Sequence, residues 1–258
     1  MHIDAGGFLP ILMSFLLVMT RIGSAIVFVP IPGMRTNPEI PKAVLILAMT
    51  VSLCRYWMIP ATDLDWTPSS IAASILAEAS LGLAVGIGVS LLLEAAQVAG
   101  QLISLQAGFS YASTIDPSSD ADSGIVLILS QLMTAMIFFA LGLDRAILKT
   151  FGESFERIPI GSYHLVPAAA EMAARLGSSM FQTALKLAMP LTAVLLVADI
   201  ALALAGRFLQ QMQLSTVLFP VKTLGALAMF AIASGTSGRL IAQWLTEGWQ
   251  TIHQIAGF

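Results

Sequence analysis

Charged side chains are scarce in this sequence: aspartate, glutamate, lysine and arginine together make up 10% of its 258 residues. A soluble domain carries about 25% charged residues, because its surface must be compatible with water. Hydrophobic residues, by contrast, make up 57% of the chain. The composition therefore excludes an ordinary soluble protein and indicates an integral membrane protein or a part of a membrane assembly.

Cysteine and histidine are also rare. The single cysteine, Cys54, lies in an apolar stretch, which excludes an intrachain disulfide framework. The three histidines, His2, His164 and His253, are far apart in the sequence and have no cysteine or carboxylate at ligand spacing. We therefore expect neither a metal ion nor another cofactor.

The motifs of the common enzyme classes are missing as well. The sequence has no G-x-S-x-G elbow, no H-E-x-x-H helix and no glycine-rich phosphate loop. The small-residue cluster at 234–238 is more typical of close helix packing than of a serine nucleophile. The net charge of −3 comes without a basic patch, which argues against nucleic acid as a partner. We expect a protein that is not an enzyme.

Long apolar runs dominate the chain instead. The run at 124–143 contains no charged residue, and others cover 5–20, 43–54, 79–93, 187–198 and 223–238. About 20 apolar residues in a helix match the hydrocarbon thickness of a bilayer, so the chain has room for about six or seven spans. The runs lack the alternation of barrel strands and predict an all-α, polytopic helical membrane protein with long helical hairpins. We expect one integral-membrane domain over residues 1–258.

Prolines, glycines and polar residues set the predicted helix boundaries. Helices are expected at about 8–29, 41–57, 70–93 or beyond, 124–143, 187–206 and 215–238, with an amphipathic interfacial helix over 239–258. The first run resembles the core of a signal peptide, but Asp4 and the lack of a preceding cation favour a retained helix. In the third helix, Gly82 and Gly86 form a G-x-x-x-G pair that permits close approach of another helix.

The distribution of cations conflicts with simple alternation of spans. Six crossings would place the five cations of 145–186 on the opposite side of the membrane from Arg35 and Lys42, against the positive-inside rule. The conflict disappears if residues 94–123 form a hairpin that re-enters or crosses the membrane. Otherwise, the ordinary topology rules do not govern this protein.

A polar stripe begins where the third apolar run ends. It consists of Glu94, Gln97, Gln101 and Ser104, which recur at three- and four-residue spacing and so share one face of a helix. The stripe either faces lipid headgroups at the membrane surface or lines an aqueous lumen. The residues alone leave both interpretations open.

Five charged residues lie inside or at the edges of apolar helices: Arg21, Glu78, Glu94, Asp199 and Lys222. A charge at the bilayer centre costs at least about 2.5–3.5 kcal/mol on insertion scales. Lys222 can equally extend to the membrane surface, but five such charges in one small protein indicate helices that face protein or water. Asp199 and Arg207 are eight residues apart and form no obvious pair, so we predict partners on another chain.

Several short motifs resemble those of one known family. The run Leu105 to Ala112, followed by Asp116 and Pro117, resembles the hallmark of the flagellar biosynthetic protein FliR family and its injectisome counterparts. Further similar segments, in the same order as in the family, are Arg21, Pro30, Pro41-Lys42, Ile158-Pro159-Ile160-Gly161, Pro190, the stretch from Asp199 to Arg207, Gln211 to Leu214, and Phe219-Pro220-Val221-Lys222. The resemblance covers nearly the whole chain, although Gln210-Gln211 stands where the family has Pro-Gln.

The resemblance implies a component of the type III export gate in the flagellar basal body of the bacterial inner membrane. In that family the protein joins its P and Q partner proteins in a closed helical ring around a protein-conducting pore, and an FlhB-type switch protein is a further expected partner. Unfolded export substrates pass through the pore, and the protein performs no chemistry on them. The sequence does not separate flagellar from injectisome systems.

The resemblance also assigns roles to residues. The pore-plugging loop of the family corresponds to residues 106–122, with Gln106, Gly108, Phe109, Tyr111, Asp116 and Pro117 as plug residues. The polar stripe would line the pore. Contacts between subunits are expected from Arg21, Glu78, Asp199, Arg207 and Lys222.

The residues of the plug segment support this assignment independently. Gly108 is expected to end the striped helix and permits a sharp change of direction, and Phe109 and Tyr111 supply bulky groups that can fill a constriction. The turn at Asp116-Pro117 begins a hydrated arm. The alternative for this segment is an ordinary connecting loop.

The alternative for the whole protein is a polytopic secondary transporter of a small solute. Its midplane site would use one or more of the charged residues of the apolar helices: Arg21, Glu78, Asp199 or Lys222. No internal repeat of the kind that many transporters show is visible in the sequence.

Overall fold

The structure, a computed structural model, describes residues 5–29, 39–57, 67–109, 124–162, 168–208 and 214–255. Within these ranges every regular element is an α-helix. The helices are α1 (Ala5–Phe28), α2 (Glu39–Ser52), α3 (Cys54–Trp57), α4 (Pro68–Ala107), α5 (Ile125–Ala140), α6 (Leu143–Arg157), α7 (Ala168–Phe208) and α8 (Leu214–Ile255). The predicted all-α fold is confirmed.

Four of these helices are long and apolar enough to cross a membrane. The candidate spans are Pro10–Phe28, Pro68–Ala107, Ala174–Leu204 and Pro220–His253. Together, α5 and α6 provide a fifth, although the chain bends by 57° between them. Gly142 lies at the bend with φ 67°, a left-handed conformation that favours glycine. The predicted polytopic membrane protein is confirmed.

Three helices are longer than the sequence indicated. α4 has 40 residues, α7 has 41 and α8 has 42, so each is about 60 Å long at 1.5 Å per residue. The expected boundary between residues 238 and 239 is wrong, because α8 continues through the small-residue cluster to Ile255. Glycine within a helix costs only about 1 kcal/mol relative to alanine, so the cluster does not end it.

The chain divides into two compact units. Unit 1 comprises Met1–Leu92, Gly142–Gly177 and Glu247–Phe258, and unit 2 comprises Leu93–Leu141 and Ser178–Thr246. The three long helices each contribute residues to both units. The single membrane domain expected over residues 1–258 stays a prediction.

In unit 1, α2 and α3 pack against α1, and α4 approaches α1 closely. A methyl group added at Gly86 would lie 2.5 Å from the carbonyl oxygen of Ala25, and one at Gly82 would collide with Arg21 and Ser24. The close helix approach predicted from the G-x-x-x-G pair is confirmed.

Unit 2 contains a hairpin of α4 and α5. A methyl group added at Gly100 would lie 2.7 Å from the Ser130 hydroxyl, and one at Gly124 would lie 2.5 Å from the Ser104 hydroxyl. These glycines bring the end of α4 close to the start of α5. The prediction of helical hairpins is therefore confirmed for this part of the chain.

Candidate functional site

Arg21 and Glu78 form an ion pair inside unit 1, with side chains that are 0% and 1% exposed. Arg21 Nε donates to Glu78 Oε2 at 2.5 Å, and its Nη2 donates to Oε1 at 3.0 Å. This is the two-bond arrangement that the planar guanidinium favours with a carboxylate. No pattern in the sequence relates these two residues, which lie 57 positions apart.

The remaining polar atoms of this pair bind the end of α6 and the segment that follows it. Arg21 Nη1 donates to the Ser154 hydroxyl at 3.1 Å and to the carbonyl oxygen of Ile158 at 3.2 Å. The backbone N–H of Gly161 donates to Glu78 Oε1 at 2.9 Å. We call Arg21, Glu78, Ser154, Ile158 and Gly161 the buried clasp.

The surroundings of the buried clasp explain how it is tolerated. The Arg21 guanidinium lies 4.4 Å from the ring centroid of Phe155, which provides a cation–π contact. Gly161 has φ 80°, so its backbone conformation favours glycine. A buried ion pair is stable only when further hydrogen bonds satisfy both partners, and the clasp meets that condition.

A second charged contact in unit 1 lies at the end of α1. Lys42 is buried, and its Nζ donates to the carbonyl oxygen of Val27 at 2.8 Å. The last carbonyl groups of a helix have no partner within the helix, and a nearby cation also interacts favourably with the helix dipole. Burial lowers the pKa of the Lys42 ammonium below its usual value.

Unit 2 contains a separate ion pair between Asp199 of α7 and Lys222 of α8. Lys222 Nζ lies 2.6 Å from Asp199 Oδ1, and the two side chains are 16% and 38% exposed, respectively. The other oxygen of the same carboxylate, Oδ2, accepts a hydrogen bond from Gln106 Nε2 at 2.9 Å. Asp199, for which a partner on another chain was predicted, therefore has polar partners within this chain.

Gln106 lies in the last turn of α4, where the predicted plug segment begins. The Gly108 N–H donates to Leu105 O and the Phe109 N–H donates to Ser104 O, each at 3.1 Å. Together with φ 89° at Gly108, these bonds form a Schellman motif, which ends a helix by a left-handed turn. The predicted role of Gly108 in ending the helix is confirmed.

The two ends of the segment 110–123 lie together. A methyl group added at Gly124 would lie 2.6 Å from Ser104 Cβ and 3.2 Å from Phe109 Cβ. The chain thus leaves α4 and returns to α5 at nearly the same place. Phe109 itself packs against a buried cluster of Ala107, Leu195 and Ala226.

The polar stripe does not face one environment within the chain. Gln97 accepts a hydrogen bond at 3.0 Å from Gln131 of α5, and Ser104 is buried against Gly124 without a hydrogen-bond partner for its hydroxyl. Gln101 is exposed and Glu94 is partly buried. The pore-lining role of the stripe stays a prediction, and Gln101 is its exposed member.

Several predicted site residues lie outside what the structure describes. Tyr111, Asp116 and Pro117 fall in the undescribed segment 110–123, and Arg207 belongs to α7 but its side chain is not among those described. The predicted contacts of Arg21, Glu78, Asp199, Arg207 and Lys222 with other subunits stay predictions.

Sequence reasoning missed two contributors, Ser154 and Gln131. Ser154 belongs to the buried face of α6 together with Thr150, Phe151 and Phe155. The available signal was the amphipathic period of α6, whose charged residues lie on the opposite face. Gln131 is the only long polar side chain in the apolar helix α5, which was a direct signal for a buried hydrogen bond.

None of the residues in the described ranges form a group of three or more metal-ligating His, Cys, Asp or Glu side chains. The polar clusters instead consist of ion pairs and of hydrogen bonds from glutamine side chains between helices. Such clusters can fix the positions of helices and of chain segments without any bound group.

Comparison with known proteins places these features in a family. A family model described as bacterial export proteins, family 1, matches residues 12–248. The flagellar biosynthetic protein FliR of Escherichia coli (strain K12) is 26% identical over 215 residues, which cover 83% of this chain and 82% of that protein.

Two further relatives carry the same name. The flagellar biosynthetic protein FliR of Aquifex aeolicus (strain VF5) is 27% identical over 211 residues, covering 82% of this chain and 81% of that protein. The one from Bacillus subtilis (strain 168) is 27% identical over 214 residues, covering 81% of each chain. Because the family model spans most of the sequence, the chain belongs to the bacterial export proteins, family 1.

Proposed function

We propose that this protein is a FliR-type component of the flagellar type III export gate in the bacterial inner membrane. The observation that carries the proposal is the match to the bacterial export family over residues 12–248, together with relatives that are named flagellar biosynthetic protein FliR. The protein would form part of a protein-conducting pore with its P and Q partner proteins and contact an FlhB-type switch protein. It would guide unfolded export substrates rather than act on them as an enzyme.

The helix lengths support an assembly rather than a set of separate spans. Helices of about 60 Å are twice as long as the hydrocarbon core is thick. Large apolar side chains are exposed along α7 and α8, including Met189, Val197, Leu224 and Ile232. Neighbouring subunits in a helical ring would cover part of this apolar surface, and lipid would cover the rest.

The segment 106–122 is proposed as the plug of the pore. Its start is fixed by the Schellman motif at Gly108, and its return lies beside its start at Gly124. The residues on either side of the segment are thus held in place by α4 and α5, which a plug within a stable complex requires.

Deletion of residues 110–115 tests the plug. The deletion removes Tyr111 but leaves the bonds at both ends of the segment, so we expect the export complex to assemble. The membrane should then leak ions, measured as loss of potential with a voltage-sensitive dye in cells that carry only the deleted protein. Normal assembly with a membrane as tight as in wild-type cells would contradict the plug role.

The transporter alternative makes a different prediction for the charges. A solute site requires a charge that is available to the solute, whereas Arg21 and Glu78 are fully buried and bonded to each other. This favours the export gate over a transporter that uses these two residues.

A further inference from the structure

Unit 2 contains a cavity of about 140 Å³ between α4, α5, α7 and α8. Small side chains of α4 and α8 line it and leave the space, among them Ala96, Ala99 and Ala233. A cavity of about 150 Å³ in another protein holds a benzene molecule, so this one has room for roughly six carbon atoms.

The lining of the cavity changes from its floor to its opening. Ile103, Leu191 and Phe230 are buried and apolar, and they form the floor. Lys186 and Thr236 line the same cavity but are exposed, so the cavity opens at the surface of unit 2 beside them. It is therefore an apolar recess with a cation at its opening.

The cation at the opening has no counter-charge. Among the described residues, Lys186 takes part in no ion pair or hydrogen bond, and none of those that line the cavity is a carboxylate. Glu94 of α4 lies two positions before Ala96 and is therefore turned about 200° around the helix from it. A group that binds at the opening gains most if it carries a negative charge.

A proline supplies an acceptor at the same place. Pro190 lies inside α7 and has no backbone N–H, so it cannot donate to the carbonyl oxygen of Lys186, four residues earlier. This carbonyl group therefore lacks the donor that it would have in a regular helix. A bound group with a hydroxyl can donate to it.

Two cations mark the same end of the apolar part of unit 2. Lys186 directly precedes the apolar run 187–198 of α7, and Arg239 directly follows the run 223–238 of α8. The two helices contact each other at the ion pair described above and again around the cavity, so they run in opposite directions. Cations that end an apolar stretch lie near the lipid headgroups, and the opening of the cavity therefore lies at that level.

We propose that unit 2 binds one anionic phospholipid, with a segment of an acyl chain in the cavity and the headgroup phosphate at Lys186. A headgroup hydroxyl, as in phosphatidylglycerol, donates to the free carbonyl oxygen of the same residue. A zwitterionic phospholipid brings its own ammonium group to this place and gains less from the lysine. The inference uses only contacts within unit 2 and does not depend on the proposed export role.

A photoreactive phospholipid tests the site in the complex that is purified from cells, with whichever subunits accompany the chain. The complex is reconstituted into phosphatidylcholine vesicles that contain a trace of phosphatidylglycerol with a diazirine on one acyl chain. After illumination, mass spectrometry identifies the labelled residues. A phosphatidylcholine probe with the same acyl chain and diazirine measures labelling by bulk lipid.

We expect the phosphatidylglycerol probe to label residues of the cavity, such as Ile103 or Phe230, about fivefold more than the phosphatidylcholine probe does. One cation near the membrane surface favours an anionic lipid by about this factor. Lys186→Gln should abolish the difference between the probes. Lys149→Gln removes an exposed cation of α6 and should leave the difference unchanged.

A second pair of variants tests the cavity itself. Ala233→Phe fills it and should prevent labelling of its residues by either probe. Ala231→Phe places the same side chain on the exposed face of α8, outside the cavity, and should leave the labelling unchanged. If Ala233→Phe fails to assemble, the smaller Ala233→Leu provides the measurement.

Three results would overturn the lipid site. Equal labelling by the two probes in the wild-type complex would reject the preference for an anionic lipid. A difference that persists in Lys186→Gln would reject the role of the lysine. Absence of label from the cavity residues of the intact complex would reject the lipid itself, and it is the result expected if a side chain of another subunit fills the cavity.

Discussion

Arg21 and Glu78 show how single charged residues are kept inside apolar helices. Each is fully buried, and together they use their polar atoms on each other, on Ser154 and on the backbone at Ile158 and Gly161. Removing one partner would leave the other charge buried without compensation. Such a loss typically costs about 3–5 kcal/mol, whereas replacing both charges by apolar groups is often nearly neutral.

We therefore expect Arg21→Met and Glu78→Leu each to destabilise the protein by about 3–5 kcal/mol. The double variant should regain most of the lost stability, except the contribution of the hydrogen bonds to Ile158 and Gly161. Thermal unfolding of the purified complex compares the stability of the three variants with that of the wild type.

Lys149→Met is the control for this comparison. It removes an exposed ion pair with Glu153, whose N–O distance is 3.3 Å, and such pairs contribute at most about 1 kcal/mol. If the double variant is as unstable as the less stable single variant, the hydrogen bonds to Ile158 and Gly161, and not the unpaired charge, determine the loss of stability.

At the scale of elements, α4 contributes to polar and close contacts along much of its length. It provides Glu78 to the buried clasp, glycines for close packing against α1 and α5, and Gln106 to the hydrogen bond with Asp199. The polar stripe begins after Leu93, and α4 continues through it, because alanine, leucine and glutamine all have good helix propensity.

The polar stripe on α4 leads to a labelling prediction. In a Cys54→Ala background, we expect a cysteine at Gln101 to react fastest with a water-soluble maleimide, because Gln101 is exposed. A cysteine at Ser104 should react slowly, because that position is buried against Gly124. Reaction is followed by mass shift in membranes that contain the assembled complex.

Cysteines at Val98 and Leu102, off the stripe and partly buried, are the controls for this experiment. They should be protected if the stripe faces the lumen. Equal reaction at Gln101, Val98 and Leu102 would instead support a helix that lies at the membrane surface, which is the alternative that the sequence left open.

At the scale of the whole molecule, the exposed apolar surface is the dominant property. The side chain of Ile232 is 84% exposed and that of Met136 is 74% exposed, on helices whose other faces are packed. Lipid can cover part of this surface. A chain built to assemble with other subunits should also depend on them for solubility in detergent.

We therefore expect the protein to aggregate when it is expressed alone and to form a stable, detergent-soluble complex with its P and Q partner proteins. Size-exclusion chromatography with subunit quantification measures both states, and this chain should be the minor component of the complex. A homogeneous monomer or homodimer that does not bind these partners would argue against the export gate and for the transporter alternative.

The sequence by itself determined the class, the family resemblance and the end of α4. Apolar run length and low charge content are properties of local composition. An apolar segment in a bilayer forms a helix because its backbone hydrogen bonds must be satisfied within the protein. Gly108 ended α4 as predicted, because the left-handed turn of a Schellman motif depends on local backbone conformation.

Only the tertiary structure decided which polar groups meet. Arg21 and Glu78 are 57 positions apart, and Gln106 and Asp199 are 93 positions apart. No periodicity in the sequence relates such residues, because a partner is set by which helices lie side by side and at what height. The sequence indicated that these charges need partners, and the packing of the helices selected them.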